Sequence, residues 1–92
     1  MKTRFIINPI AGTGKQKGIS KHIAKHFKNY DIVETKKPGD AKKLSLEAVN
    51  KQYQTIIAVG GDGTVNECLE SVINTKTALG VIPCGSGNGF AL

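Results

Sequence analysis

The sequence predicts an α/β fold, a three-layer α/β/α sandwich built around a parallel sheet. Three observations carry this. A strand–loop–helix pattern occurs three times before a fourth strand, glycine-rich breaks follow the strand-like runs directly, and the helical stretches keep their apolar residues on one stripe. Alternation of this kind implies parallel strands joined by right-handed crossovers. A chain of 92 residues has room for one small domain of modest stability.

The first strand is read at Arg4–Asn8, and the loop Asn8-Pro9-Ile10-Ala11-Gly12-Thr13-Gly14-Lys15 follows it. A helix is expected from about Lys17 to Lys28. Its apolar stripe is Ile19, Ile23 and Phe27, with Lys17, Lys21, Lys25 and Lys28 on the opposite face. The second strand is Asp31–Thr35, and Lys36-Lys37-Pro38-Gly39 is a turn. The next helix starts near Asp40, read as an N-cap, and is expected to bury Ala41, Leu44, Ala48 and Val49. Thr55–Val59 is a nearly continuous apolar run with β-branched residues, which suits a central strand covered on both faces. After Gly60-Gly61-Asp62-Gly63, a third helix is expected to begin at Thr64, because Thr64-Val65-Asn66-Glu67 fits a capping box. The fourth strand, about Ala78–Ile82, leads into a second glycine-rich loop, Pro83-Cys84-Gly85-Ser86-Gly87-Asn88-Gly89.

Composition narrows the class. At 39% hydrophobic the chain is globular rather than disordered. No apolar run approaches the roughly 20 residues that span a bilayer, and Phe5-Ile6-Ile7 is too short for a signal peptide, so a cytoplasmic protein is expected. Cys68 and Cys84 have no partner at metal-ligand spacing and read as reduced thiols. The net charge of +6 is uneven: residues 1–51 hold 12 of the 13 Lys and Arg against four acids, and residues 52–92 hold only Lys76 against three. A basic half suits phosphates or an anionic membrane. A nucleic-acid role is disfavoured, because no aromatic lies within the glycine loops to stack on bases. His22 and His26 share a helix face, but no third ligand is apparent and no Glu lies between them, so they read as solvated or stacked.

Chemistry is expected where the loops after strands one, three and four meet, since ligands of open parallel sheets bind beyond the carboxyl ends of the strands. Glycines at 60, 61 and 63 are expected to turn the backbone with positive φ and let a ligand come close. Exposed N–H groups there, with the following helix N-terminus, make an anion site. An acid inside such a loop, Asp62, is unfavourable unless a cation or a transferable proton sits beside it. A magnesium ion bridging phosphate and carboxylate resolves this, and so does Asp62 acting as general base toward an acceptor hydroxyl. Familiar phosphate loops fail on spacing: Gly14-Lys15 is followed by Gln16 rather than Ser or Thr, and Gly12-x-Gly14 is followed by Lys17 where a dinucleotide fingerprint needs Gly.

Three segments, Asn8-Pro9-Ile10-Ala11-Gly12, Gly60-Gly61-Asp62-Gly63-Thr64-Val65-Asn66-Glu67 and Pro83-Cys84-Gly85-Ser86-Gly87-Asn88-Gly89-Phe90-Ala91, resemble in order and spacing the diacylglycerol kinase catalytic-domain family. That family includes bacterial lipid kinases and sphingosine kinases. The resemblance runs over the whole chain; the looser Gly-Gly-Asp-Gly is shared with the NAD kinases. It implies a Rossmann-like N-terminal lobe that binds ATP and Mg2+ and passes the γ-phosphoryl group to a lipid hydroxyl, of diacylglycerol or a sphingoid-like lipid. Asn8, Pro9 and Gly12 would approach ATP, and Thr35 would contact the nucleotide. Gly60, Gly61, Gly63, Thr64, Asn66 and Glu67 would hold phosphates and ribose, and Gly85, Ser86, Gly87 and Asn88 would close on the nucleotide. Asp62 would serve the metal or the acceptor hydroxyl. Gly89 stands where the bacterial pattern commonly has Asp, and Leu92 where Arg is frequent.

The resemblance further implies that residues 1–92 are the ATP-binding part alone, without the β-rich second lobe that holds the lipid, and that this piece by itself is inactive. An NAD kinase-like enzyme and a non-catalytic nucleotide-binding module remain as alternatives. The lysine face of the first helix reads first as a solvated surface, and second as a peripheral contact at the inner face of an anionic membrane. A homodimer is left open.

Overall fold

The computed structural model describes residues 2–9 and 16–83. The elements run β1 (Thr3–Ile7), α1 (Gln16–His26), β2 (Tyr30–Glu34), α2 (Asp40–Asn50), β3 (Thr55–Gly60), α3 (Asp62–Val72) and β4 (Ala78–Pro83). All strand pairs are parallel and the sheet order is β2-β1-β3-β4. From β1 the chain turns to one side to make β2, and from β3 it turns to the other to make β4. The winding therefore reverses between the neighbours β1 and β3, which opens a crevice beyond their carboxyl ends.

The central strands alternate between two cores. Phe5 and Ile7 of β1 pack with Val59 and with Ile23 of α1. Ile6, Ile56 and Ala58 face the other way, onto Ala41 and Ala48 of α2 and Cys68 and Val72 of α3. This puts α1 on one face and α2 and α3 on the other, the three-layer sandwich expected. Burying an Ile side chain such as Ile56 contributes about 1.5–3 kcal/mol. Phe27 lies just past α1, with its ring edge-on to Phe5 at 5.0 Å between centroids. Lys21, Lys25 and Lys28 are exposed; the side chains of Lys17 and Ile19 lie outside the described residues. In α2, Leu44 and Val49 are only half-buried. The tight contact falls to Ala41, Ala48 and the fully buried Ser45, whose hydroxyl donates to the Ala41 carbonyl at 2.7 Å.

Two helix starts differ from expectation. Asp40 is the first residue of α2 rather than its cap. Gly39 occupies the cap with φ of 95°, and Asp40 Oδ2 accepts the N–H groups of Lys36 and Lys37 at 2.8 and 3.2 Å, closing the preceding loop. Helix α3 starts at Asp62, two residues before Thr64, with extended Gly61 at its cap and no side-chain cap bond. The capping box does not form. Glu67 instead accepts the Gly39 and Lys42 N–H groups across the fold, and an acid at Asp62 in the first turn is itself favoured by the helix dipole. The glycine expectation is corrected too. Among the described glycines only Gly39 has positive φ; Gly60 is required by space, since a β-carbon there would crowd Thr64 and Asn8, and Gly61 and Gly63 are required by neither backbone sign nor packing.

An ionic cluster around Arg4 has no local sequence signature. Arg4 points to the α2 face and is 4% exposed. It donates to both oxygens of Asp31, to Glu47, to the Leu44 carbonyl and to Tyr53, whose hydroxyl in turn donates to Asp31. Burial alone would push the Asp31 carboxyl up, but hydrogen bonds from Arg4 and Tyr53 hold it below the usual carboxylate range.

Candidate functional site

A cavity of about 310 Å³ opens at the carboxyl ends of β1, β2 and β3. Asn8 continues past β1, its N–H donating to the Val59 carbonyl at 3.0 Å. Thr35 continues past β2, its N–H donating to Ile7 at 2.9 Å, and it is largely buried. The first turn of α3 supplies Gly63 and Thr64, and one turn later comes Glu67. These five expected residues line one space, although they come from three separated segments. The topology explains this, because parallel strands deliver all their exit loops to one edge of the sheet.

The glycines divide by role. A β-carbon on Gly60 would come within 3.0 Å of Thr64 Oγ1 and 3.3 Å of Asn8 Cβ, so this glycine lets the β3 exit pack against both cavity-lining side chains. A β-carbon on Gly61 or Gly63 would meet nothing within 4 Å. These two leave open space at a helix N-terminus whose first N–H groups have no side-chain cap. That geometry suits an anion.

Asp62 and Asn66 are exposed and do not line the cavity. Pro9 is exposed beside Asn8. Gly12, Gly85, Ser86, Gly87 and Asn88 lie outside the described residues, as does Cys84. Residues that sequence reasoning missed are Lys36, Lys37, Pro38 and Ala41, which form a wall of the cavity. The signal was available: this loop follows a parallel strand like the others, yet it read as a plain turn.

Glu67 is engaged by α2. Its Oε2 accepts the Gly39 N–H at 3.2 Å and its Oε1 the Lys42 N–H at 3.1 Å. The Asp40 carboxyl is held below its ordinary range, first by the Lys36 N–H and then by that of Lys37. Among the described residues no group of three or more His, Cys, Asp and Glu could hold a metal. A cation bound by these side chains alone does not fit them. The exposed His22 and His26, one turn apart on α1, bring their ring centroids within 4.3 Å at a tilt of 50°. Cys68 is buried and free, and burial pushes its thiol up. Among the described residues no helix is long and apolar enough to cross a membrane. A second cavity, near Tyr53 and Thr77, lies at the opposite end of the sheet and touches none of the expected site residues.

Known proteins share this fold. Residues 2–92 match the diacylglycerol kinase catalytic domain. A diacylglycerol kinase of Bacillus subtilis is 33% identical over 99 residues, covering 98% of this chain and 32% of that protein. Sphingosine kinase B of Dictyostelium discoideum is 31% identical over 101 residues and is covered over 13% of its length. A crystal structure of a diacylglycerol kinase from Bacillus anthracis superposes with a TM-score of 0.79 at 35% identity, over 95% of this chain and 34% of that one. A phosphate-loop protein of 14% identity shares the fold, with a TM-score of 0.68. The chain spans about a third of the length of the bacterial relatives it matches. With the family match running over nearly every residue, the chain belongs to the diacylglycerol kinase catalytic domain family.

Proposed function

We propose that this chain is the ATP-binding part of a kinase that transfers the γ-phosphoryl group of ATP to a lipid hydroxyl. One observation carries the reading: Asn8, Thr35, Gly63 and Thr64, from three separate segments, line one cavity beside an uncapped helix N-terminus. In this reading the phosphates lie over Gly61 and Gly63, where no β-carbon blocks their approach, and the N–H groups at the start of α3 bind them. Lys36 and Lys37 supply positive charge at the cavity wall. Asn8 and Thr35 bound the nucleotide on the β1 and β2 sides, and Pro9, Gly12, Gly85, Ser86, Gly87 and Asn88 complete its surroundings.

Magnesium, when bound with the nucleotide, neutralises phosphate charge. In this reading Asp62 meets it or takes the acceptor's proton, with Asn66 one turn further along α3. Positioning and charge neutralisation supply most of the rate in such transfers. The lipid-kinase names of the relatives favour a lipid acceptor over NAD. The exposed Lys21, Lys25 and Lys28 suit a peripheral contact with an anionic membrane from the cytoplasmic side.

Amide chemical-shift mapping with ATP and Mg2+ tests the reading. The expected shifts fall at Asn8, Thr35, Gly61–Asn66 and Ser86. Shifts confined to the opposite end of the sheet, or none at millimolar ATP, would overturn it.

A further inference from the structure

Glu67 belongs to the motif expected to hold nucleotide, yet both of its carboxylate oxygens point to the start of α2. They accept the N–H groups of Gly39 and Lys42, 28 and 25 residues away in the chain. Gly39 is the left-handed cap where the loop after β2 turns into α2. That loop is tied down at two further points. The Thr35 N–H bonds to Ile7, and the N–H groups of Lys36 and Lys37 bond to Asp40. Thr35 to Pro38 form one wall of the cavity; Gly63 and Thr64, one turn before Glu67, form another. The Glu67 carboxylate thus joins the two walls through backbone hydrogen bonds.

We infer that Glu67 is a positioning residue: by clamping the Thr35–Gly39 loop to α3 it sets the width of the cavity and holds Lys36 and Lys37 at its edge. A carboxylate at a helix N-terminus is held there by the helix dipole as well as by its two donors, which makes the clamp stiff. The inference rests on the reading of this cavity as the nucleotide site. It assigns Glu67 a task distinct from touching phosphate, ribose or metal.

Amide hydrogen exchange of the ligand-free chain, and ADP binding with and without Mg2+, test it in Glu67→Ala, Glu67→Gln and Asp40→Ala. In Glu67→Ala, exchange at Gly39 and Lys42 should quicken by about tenfold or more. ADP binding should weaken about tenfold, by the same factor with and without Mg2+. Glu67→Gln, which keeps one acceptor oxygen, should fall between. Asp40→Ala removes the other anchor of the loop without lining the cavity, and should weaken ADP in the same sense. If Glu67→Ala does not fold, Glu67→Gln and Asp40→Ala carry the test. Unchanged exchange at Gly39 and Lys42, or a loss of ADP affinity seen only with Mg2+, would overturn the inference. So would Asp40→Ala binding ADP like the parent chain. Normal ADP binding by Glu67→Ala sinks this inference alone, whereas a parent chain that binds no ADP sinks it together with the nucleotide reading.

Discussion

Arg4 and Asp31 form a two-pronged ion pair across the start of β1 and β2, with Nε to Oδ1 and Nη2 to Oδ2 both at 3.0 Å. Tyr53 closes the arrangement from the entrance to β3, and the same strand ends that hold this cluster lie opposite the candidate site. The cluster fixes the register of β1 on β2, and with it where Asn8 and Thr35 emerge.

Removing one partner leaves a buried charge without compensation. Loss of a fully buried partner costs about 3–5 kcal/mol. Asp31 keeps 28% of its side chain exposed, so we expect Asp31→Ala to lower stability by a smaller amount, about 2–3 kcal/mol. Urea unfolding monitored by circular dichroism reads this directly. A change below about 0.5 kcal/mol would show that the cluster is decorative.

The same pair gives an acid-side pH dependence. The folded Asp31 carboxyl titrates below its unfolded value, so the unfolded chain binds more protons in the window between them. Its contribution is fully present above the unfolded value of about 4 and is lost as pH falls through the lower, folded one. Unfolding free energy should therefore decline below about pH 4, with a shallower slope in Asp31→Asn. An equal slope in the two proteins contradicts the assignment.

Gly60 and Gly63, three residues apart, should respond differently to one methyl group. Gly60→Ala forces a β-carbon against Thr64 and Asn8 and should cost about 1–3 kcal/mol in thermal unfolding. Gly63→Ala meets no neighbour and removes a glycine from the first turn of α3, so its stability should hold or rise by up to about 1 kcal/mol. Its ATP affinity should nevertheless fall, because the methyl group enters the space assigned to phosphate. Calorimetry of both variants separates packing from binding; an unaltered ATP affinity in Gly63→Ala moves the phosphates elsewhere.

Asp62→Asn keeps size and removes charge and basicity at an exposed position, so the fold should not change. Mg2+ should raise ATP affinity in the parent chain and do so much less in the variant. In an assembled kinase containing this chain, kcat should fall by about 10²-fold or more. A variant with near-normal turnover removes Asp62 from the chemistry.

Cys68 should not react with a thiol reagent until the protein unfolds, since it is fully buried and its thiol is held protonated. Native labelling would then report on Cys84 alone, which the sequence sets in the second glycine-rich loop. Labelling at Cys68 in the native state would indicate that α3 opens readily.

Local pattern by itself determined the order of the elements, to within two residues at each described strand and helix start, and the parallel sheet that alternation demands. An apolar run is a property of neighbours in the chain, so Thr55–Val59 could be read as a strand covered on both faces without knowing what covers it. The Gly-Gly-Asp-Gly-Thr segment was likewise legible, because unusual local composition marks a loop that must approach something. Tertiary structure decided what depends on residues far apart. Thr64 and Glu67 have the spacing of a capping box, but Glu67 caps α2, because Gly39 and Lys42 arrive with unpaired N–H groups that only packing brings near. Gly60 is required by Thr64 and Asn8, not by its own φ. Arg4 looked like an ordinary charged residue at a strand start, and is buried because Asp31, Glu47 and Tyr53 converge on it from 27, 43 and 49 residues away. Hydrogen bonds of that range carry no local sequence signal, since nothing in the chain near one partner reveals the other.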